Sequence, residues 1–319
     1  MVRSIDERGI ALIVVLWVAL LIAVLASAFV LDTRSEAKIA RNFVDSAEAR
    51  ALADGGVQLA IHQLLAAGPG GTPSLGAALQ SASIGDGAVS IAIEDEGGKV
   101  DLNTAADPLL RGALLAAGAP ESLAASLLDR IRDWRDPDHL QRPQGAEDPA
   151  YQAAGLDYGA KDGPFERVDE LQQVLGMPRA LYERLRRVVT VYSGRPGIDP
   201  RTASRGALLA IPGTTAEQVD AFIAARSRGA ADPAVTRFSA DPSVIRYGSP
   251  SSGRVFTVRS QAKSHSGARF TRIAVIELSG TARLTAAIRE WRDGDRRDFP
   301  EIADPAAKDA ASDPATVTR

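Results

Sequence analysis

The strongest constraint on this chain is an apolar stretch of 22 residues near its N-terminus, residues 10–31, with the sequence IALIVVLWVALLIAVLASAFVL. Ser27 is the only polar residue of the stretch, and no residue in it is charged. As an α-helix rising about 1.5 Å per residue it would reach roughly 33 Å, enough to cross a hydrocarbon core about 30 Å thick. The stretch therefore predicts a transmembrane or filament-core helix, followed by the globular part of the chain.

The nine residues before this stretch, MVRSIDERG, leave three interpretations of the N-terminus open. The stretch is a plain signal anchor, or a secretory signal peptide removed after the small residues 26–28, or a helix that follows a prepilin-like leader and is retained. The pair Arg8-Gly9 directly before Ile10 favours the prepilin-like leader. Because Arg3 and Arg8 precede the apolar residues, the leader is expected to stay cytoplasmic while the remainder crosses the membrane.

The composition excludes several classes of function. The chain has 319 residues and a net charge of -3, so no overall basic field attracts nucleic acid. It contains no cysteine, which excludes thiolate catalysis, cysteine-ligated zinc and disulfide bonds. Its three histidines, His62, His139 and His265, lie far apart in the sequence, which argues against a histidine zinc site or a catalytic triad. We predict a protein that is not an enzyme.

Helical character continues beyond the apolar stretch, from Asp32 to about Ala67. Alanine, glutamate, arginine and lysine dominate this region, and no proline interrupts it. Apolar residues recur at intervals of four, beginning with Ile39 and Phe43, which predicts a face that packs on a globular domain. The pair at residues 55–56, both glycine, is expected to weaken or bend the helix.

Alternation of small or polar residues with apolar ones predicts strands on both sides of a helical block. The strands are predicted over residues 87–94, 254–262 and 269–278, and residues 284–291 form either a further strand or a short helix. Helices are predicted over residues 107–117, 121–133, 168–174, 179–189, 204–210 and 216–226. The fold class is therefore α+β, with a long N-terminal helix on an antiparallel sheet and a large all-helical insertion.

This pattern divides the chain into six parts. They are a leader (1–9), the transmembrane or filament-core helix (10–31), the outer half of that helix with the first strand (32–98), the helical insertion (99–235), the remaining strands (236–292) and a tail (293–319). The tail is rich in Asp, Ala, Pro and Arg and poor in large apolar residues, so we expect it to be disordered.

The helical block contains units that look like helix-hairpin-helix motifs, with hairpins at Gly176 and Gly213. In DNA-binding proteins the backbone amides of such hairpins hold a phosphate. Here Pro178 contributes no amide, and the arginines nearby are mixed with acids such as Glu183. We therefore expect a compact, SAM-like scaffold that binds no nucleic acid, and the alternative is a membrane-tethered DNA-binding protein of the competence type.

The densest chemical feature is a loop that carries five carboxylates: Asp133, Asp136, Asp138, Glu147 and Asp148. A hard cation such as Ca²⁺ takes about 6–8 oxygen ligands, which a looped cluster of carboxylates can supply. The spacing does not match an EF-hand. The alternative is that these acids cap helices, form turns or pair with neighbouring arginines. The sequence thus gives a candidate metal site and a structural interpretation of the same residues.

Taken together, these motifs resemble the K-type minor pseudopilins of type II secretion systems, the general secretion pathway protein K family. The resemblance lies in RGIALIVVLW at residues 8–17, VDLNTA at 100–105 and DELQQVLG at 169–176. It lies equally in DWRDPD at 133–138, which is followed by GAED at 145–148 and by Tyr151. It extends from the leader to about Arg292.

The resemblance implies that prepilin peptidase cuts between Gly9 and Ile10 and methylates the new amine of Ile10. It implies a single-pass protein of the bacterial inner membrane with its C-terminal domain in the periplasm. Its implied partners are the I- and J-type minor pseudopilins and the major pseudopilin. Its implied role is to cap the pseudopilus tip and to help initiate assembly, for export of folded proteins across the outer membrane.

The family resemblance also bears on the metal and on the position in the filament. Family members bind calcium in the helical domain, so calcium is the cation expected in the acidic loop. Val14 is the fifth residue after the cut, where most pilins carry a glutamate that pairs with a neighbouring subunit's terminal amine. A subunit without this contact, and with a bulky helical domain, is expected at the tip.

Overall fold

The computed structural model describes residues 7–67, 80–229, 232–280 and 285–295. The fold is α+β, as predicted: a long N-terminal helix packs on an antiparallel sheet, and a helical domain is inserted between two strands. Most of the predicted leader, and the predicted disordered tail beyond residue 295, lie outside the described residues.

The N-terminal helix, α1, runs without interruption over Glu7–Ala67, through the two glycines that were expected to bend it. The buried line that contacts the sheet begins later than predicted and consists of Ala49, Ala53, Val57, Ala60 and Leu64. Ile39 and Phe43, which were expected to face the domain, are 65% and 76% exposed because the sheet does not extend that far along the helix. Among the described residues, no helix is long and apolar enough to cross a membrane.

The described residues contain seven strands: β1 (Gln80–Ile84), β2 (Gly87–Asp95), β3 (Val100–Asp101), β4 (Val189–Thr190), β5 (Val255–Lys263), β6 (Arg269–Ser279) and β7 (Thr285–Asp293). Five of them form an antiparallel sheet in the order β1-β2-β5-β6-β7. Strands β2, β5 and β6 confirm the predictions made from alternation. The segment that sequence left as strand or helix is the edge strand β7, whereas the polar strand β1 was not predicted.

One face of the sheet forms a core with α1. Alternate residues of the three central strands point towards the helix and are buried with it, among them Val89, Ile91, Phe256, Val258 and Ile276. This alternation follows from the period of two of a strand and places the intervening residues on the opposite face, towards the helical domain. The two faces of the sheet therefore serve different parts of the molecule.

The helical domain contains α2 (Asp107–Ala116), α3 (Glu121–Arg135), α4 (Asp148–Ala153), α5 (Arg179–Leu185), α6 (Arg205–Leu209), α7 (Ala216–Arg228), α8 (Pro233–Ser239) and α9 (Pro242–Tyr247). Two short 3-10 helices, Glu96–Gly98 and Val168–Gln172, complete it. Its own hydrophobic core is separate from the core under α1. Each part of the molecule thus has its own buried apolar centre.

Three details of the helical domain differ from the sequence prediction. Val100–Asp101, which the sequence placed at the start of the helical insertion, forms β3, because it pairs in parallel with β4. Strand β4 begins at the last residue of the helix predicted over residues 179–189. Helix α4 was not predicted. Helices α8 and α9 occupy residues 233–247, where sequence placed the return to strands from residue 236; each is capped by an aspartate and begins with a proline.

The chain enters and leaves the helical domain at one point of the sheet. Asp95, at the end of β2, is the cross-strand partner of Phe256 in β5. Ser251 ties the two connections together, because its hydroxyl donates to Asp95 Oδ1 at 2.7 Å and its amide to Asp199 Oδ2 at 2.8 Å. The Asp199 amide in turn donates to the carbonyl of Gly97 at 2.8 Å.

Candidate metal centre

The acidic loop is built over a layer of aromatic side chains in the helical domain. Trp134, near the end of α3, lies 6.0 Å from the ring of Tyr151 in α4 and 6.2 Å from the ring of Phe165. All three are buried, and they fix the two ends of the loop that joins α3 to α4. The carboxylates between these anchors therefore lie over an apolar floor, where an unpaired charge is costly.

Glu147 is the central residue of the candidate site. It is only 3% exposed, and neither of its carboxylate oxygens has a hydrogen-bond partner among the described residues. Burial, together with the neighbouring carboxylates of Asp133, Asp162 and Asp136, raises the pKa of Glu147 to about 7. A buried acid among other acids, with no donor nearby, is an arrangement that a cation stabilises.

Two further residues complete this group. One ligand atom each from His139, Glu147 and Asp162 can be chosen so that all three atoms lie within 4.8 Å of one another. The Nδ1 atom of His139 lies 3.4 Å from Asp162 Oδ2. Asp162 adopts the left-handed conformation, with φ of 53°, and its Oδ1 atom is buried without a partner among the described residues. Asp136 Oδ1 is likewise buried and unpartnered within the described part of the chain.

The five carboxylates predicted from the sequence have different surroundings. Asp133 and Asp136 are held by the guanidinium of Arg142, whose Nη1 lies 2.6 Å and 2.5 Å from one oxygen of each. Asp138 accepts a hydrogen bond from the amide of Leu140, as in an Asx turn, and Asp148 accepts one from the amide of Ala160. Of the five, only Glu147 keeps both oxygens free of protein donors among the described residues.

The donor set suits a hard cation. Four buried carboxylate oxygens lack donors among the described residues: both of Glu147, Oδ1 of Asp136 and Oδ1 of Asp162. Oxygen ligands of this kind are preferred by Ca²⁺, and an imidazole such as His139 is preferred by transition metals. The residues present therefore fit a divalent ion, with calcium favoured by the number of carboxylates.

Sequence reasoning did not propose His139 or Asp162 as ligands. His139 was set aside because the three histidines are dispersed, although a single histidine can join carboxylates that the fold brings to it. Asp162 lies 15 residues after Glu147, and only the Asp162-Gly163 pair signalled a turn there. Neither residue is marked by local spacing, because their proximity depends on how the loop folds back over the aromatic layer.

The two hairpins use their amides within the protein. At the first, the amide of Met177 donates to the carbonyl of Val174, and the Arg130 guanidinium covers the hairpin by donating to the Leu175 carbonyl at 2.8 Å. At the second, Thr214 donates to Ile211 at 3.2 Å, and a reciprocal pair of hydrogen bonds joins Thr215 to Gln218. These contacts support the interpretation of the hairpins as a scaffold.

The predicted processing residues lie at the start of α1. The helix begins at Glu7, so the backbone of both Gly9 and Ile10 is helical. The description of this segment extends to the backbone only, and the predicted cut between the two residues stays a prediction.

This architecture defines the class of the protein. It is a pilin-like α+β protein, with a long helix on an antiparallel sheet and an inserted helical domain that carries a carboxylate loop. Residues 90–194 match the family model for type II secretion system (T2SS), protein K. The resemblance to the protein K family of type II secretion systems is thereby confirmed, and the matched region contains the loop and the aromatic layer beneath it.

Individual relatives show the same resemblance. The chain is 30% identical over 199 residues to type II secretion system protein K of Klebsiella pneumoniae, across 56% of this chain and 61% of the relative. It is 32% identical over 149 residues to the protein of the same name from Pseudomonas aeruginosa, across 42% of this chain and 44% of the relative. The matches therefore span less than two thirds of the length of either relative.

A solved structure shares the fold. A chain in the crystal structure of the GspK-GspI-GspJ complex from the type 2 secretion system of enterotoxigenic Escherichia coli superimposes with a TM-score of 0.55. The superposition covers 82% of this chain and 99% of that chain, at 20% sequence identity. The arrangement of helix, sheet and inserted helical domain is thus found in a known secretion-system complex.

Proposed function

We propose that the chain is a minor pseudopilin of a type II secretion system that acts as a structural subunit and not as an enzyme. The observation that carries this proposal is the match of residues 90–194 to protein K, in a chain whose α1 extends well beyond the sheet it packs on. The uncovered part of α1 exposes large apolar side chains, including Leu16 at 68% and Phe43 at 76%, which a bundle of neighbouring helices would bury.

The proposed role places this subunit at the tip of the pseudopilus, where it caps the filament and helps to initiate assembly. Val14 supplies no carboxylate to pair with a neighbour's terminal amine, and the inserted helical domain enlarges the end of the molecule. Its proposed partners are the I- and J-type minor pseudopilins and the major pseudopilin. Co-purification with each partner tests this role: we expect a stable complex with the I and J types, and capture of the major pseudopilin alone would contradict the tip position.

We propose that prepilin peptidase removes residues 1–9 and methylates Ile10, and that residues 10–31 anchor the protein in the inner membrane. The uncharged sequence of this stretch and the arginines before it support that orientation, with the C-terminal domain in the periplasm. Mass spectrometry of the protein extracted from membranes should show loss of the leader and gain of one methyl group. A mature chain that begins after residue 28 would instead indicate a secreted protein.

We propose calcium binding by Glu147, Asp162 and Asp136, with His139 at the rim. When bound, the ion would neutralise the buried carboxylates and hold the acidic loop against the aromatic layer. At a calcium concentration about a hundredfold above Kd, the melting temperature of the protein should rise by about 5–10 °C over the EDTA-treated protein.

Two variants test which carboxylates hold the ion. Glu147→Gln should abolish the calcium-dependent rise in melting temperature, because it removes the ligand that has no protein donor among the described residues. Asp138→Asn is the matched control and should retain the rise, because this side chain already accepts the Leu140 amide. Equal loss in both variants would favour the five-carboxylate set predicted from sequence.

A further inference from the structure

A cleft of about 670 Å³ separates the helical domain from the sheet face opposite α1. Its floor includes Thr257 and Arg259 of β5 and Ile273 and Val275 of β6, which point away from α1. Its opposite wall is formed by the end of α5 and the residues that follow it, at positions 184–189. We refer to this space as the arginine cleft.

The arginine cleft carries an excess of positive charge. Eight lysine or arginine residues line it against four acidic residues. Two of these cations pair with carboxylates outside the lining, Arg186 with Glu183 and Arg205 with Asp220, which leaves an excess of two positive charges. Such a concentration of one sign in a concave space focuses the electrostatic potential and attracts an anionic ligand. The whole chain, by contrast, has a net charge of -3, so this cleft departs from the balance of the protein.

The acidic residues of the cleft are already paired on its floor. Glu94 forms ion pairs with Lys99, at 3.4 Å, and with Arg259. Glu290 lies 3.5 Å from Arg167 and 2.9 Å from Arg292. These pairs leave little acidic charge on the floor to balance the opposite wall.

Two arginines of the wall at the end of α5 are not balanced in this way. Arg184 donates to the carbonyl of Ala117, a neutral partner, and Arg187 is exposed. Among the described residues, no carboxylate lies within ion-pair distance of Arg184 or Arg187. The cleft is therefore a site where two guanidinium groups can receive carboxylates from elsewhere.

The chain itself leaves the sheet next to this cleft. After β7, the amide of Gly294 donates to the carbonyl of Thr271 at 2.9 Å. A Cβ atom at Gly294 would lie 2.7 Å from Thr271 Cγ2 and 3.1 Å from Ile273 Cδ1. Because Ile273 and Arg292 both line the arginine cleft, the chain leaves β7 next to the cleft.

The sequence that follows has the opposite charge to the cleft. Residues 298–313, DFPEIADPAAKDAASD, contain five acidic residues and one lysine, which gives a net charge of -4. We call residues 298–313 the acidic segment. Fully extended at about 3.3 Å per residue, it would reach about 50 Å, and it begins six residues after Arg292, which lines the cleft.

We propose that the acidic segment binds in the arginine cleft of its own chain, with carboxylates paired to Arg184 and Arg187. The uncompensated positive charge of the cleft is opposite in sign to the charge of the segment, and the segment begins six residues after Arg292, which lines the cleft. In this position the segment bridges the sheet and the helical domain on the side that α1 does not cover. The tether raises its effective concentration, so that individually weak ion pairs suffice to hold it.

The absence of cysteine from the chain allows disulfide trapping as a test in the full-length protein. The test pair combines Ala306→Cys, in the acidic segment, with Ala116→Cys, an exposed residue that lines the cleft. The control pair combines Ala306→Cys with Ala221→Cys, an exposed residue of α7 that lines a different cavity. All three substitutions are alanine to cysteine and leave every charged residue in place.

We expect the test pair to form an intramolecular disulfide about tenfold faster than the control pair at low salt, as an effective-concentration effect. The advantage should disappear at about 1 M salt, where the Debye length falls to about 3 Å. The advantage should also disappear when the acidic residues of the segment are changed to their amides, which leaves the cleft itself unaltered. The double variant Arg184→Glu, Arg187→Glu should lose the advantage as well.

Three results would overturn the proposal. They are equal rates for the two cysteine pairs, a rate advantage that survives both neutralisation of the acidic segment and high salt, or disulfides that form only between separate chains. The last result would indicate that the cleft receives an acidic segment from another molecule instead.

Discussion

At the residue scale, the motif VDLNTA at positions 100–105 is explained by contacts that close the helical domain. Asp101 is only 1% exposed; its Oδ1 accepts the amides of Asn103 and Thr104, and its Oδ2 accepts the Gly194 amide at 2.8 Å. Asn103 makes a two-way pair with the backbone of Phe165, at 2.9 Å and 2.8 Å. These residues join three distant segments, and they do so without contacting the candidate metal ligands.

Replacing Asp101 tests this structural role. Asp101→Ala should lower the free energy of unfolding by about 3 kcal/mol or more, because several donors lose a charged acceptor in a buried setting. Asp107→Ala removes a half-exposed carboxylate that lies 2.6 Å from Arg132, and it should cost no more than about 1 kcal/mol. Urea unfolding of both variants gives the comparison, and similar losses would contradict the central role of Asp101.

The same scale shows what local sequence could and could not reveal about the site. Glu147 was among the candidate ligands because acidic residues are dense around it. His139 and Asp162 were not, because their relation to Glu147 depends on the path of a loop over Trp134 and Tyr151. Which carboxylates are occupied by Arg142 or by backbone amides depends equally on that path, since all five look alike in the sequence.

At the element scale, α1 approaches the sheet closely at one glycine. A Cβ atom at Gly56 would lie 2.2 Å from Ser260 Oγ and 2.5 Å from Val89 Cγ1, whereas one at Gly55 would meet only Ile84 Cδ1, at 3.4 Å. The pair that appeared to be a weak point of the helix therefore contains a contact residue, Gly56, which allows α1 to lie directly on β2 and β5.

This asymmetry gives a matched pair of variants. Gly56→Ala should destabilise the protein by about 1–3 kcal/mol, because the added methyl group overpacks the interface by more than improved helix propensity restores. Gly55→Ala should be neutral or stabilising by up to about 1 kcal/mol, because alanine favours the helix and meets only an ordinary contact. Thermal unfolding of the two proteins measures the difference, and the same sign in both would show that the close approach has little energetic weight.

The elements that the sequence predicted correctly are those in which apolar residues recur at a regular spacing. Helix α1 and the alternating strands β2, β5 and β6 carry their signal locally. Strand β1 consists of small and polar residues that precede Ile84, and it forms because β2 supplies a partner. Strands β3 and β4 are two residues long and exist only as a pair. For α8 and α9 a local signal was present, an aspartate before a proline at Asp232 and Asp241, and it was overlooked.

At the scale of the whole molecule, an ion-pair cluster joins the sheet to the beginning of the helical domain. Burial alone would raise the pKa of Glu94, but the positive charges of Lys99 and Arg259 outweigh it and lower the pKa to about 2 from an ordinary value of 4.5. A lowered pKa in the folded state means that the paired carboxylate stabilises the fold at neutral pH. That contribution is lost as the pH falls below about 4.5 towards 2.

The pH dependence of unfolding tests this cluster. We expect the free energy of unfolding to decrease as the pH falls through this range, and Glu94→Gln should make the decrease shallower while lowering stability at neutral pH. Chemical unfolding at several pH values provides the measurement. A Glu94→Gln protein with the slope of the unaltered chain would show that other carboxylates determine its acid sensitivity.

The point at which the chain enters and leaves the helical domain has a mechanical consequence. Because Asp95 and Phe256 form the last residue pair between β2 and β5, a force that pulls the helical domain away from the sheet acts on this pair first. Backbone hydrogen bonds loaded in this direction break one after another, whereas hydrogen bonds loaded along the strands resist together. The small cluster of Ser251, Asp95 and Asp199 at the junction, together with the Arg167–Glu290 pair, is therefore among the first parts of the molecule to bear tension when the two halves are drawn apart.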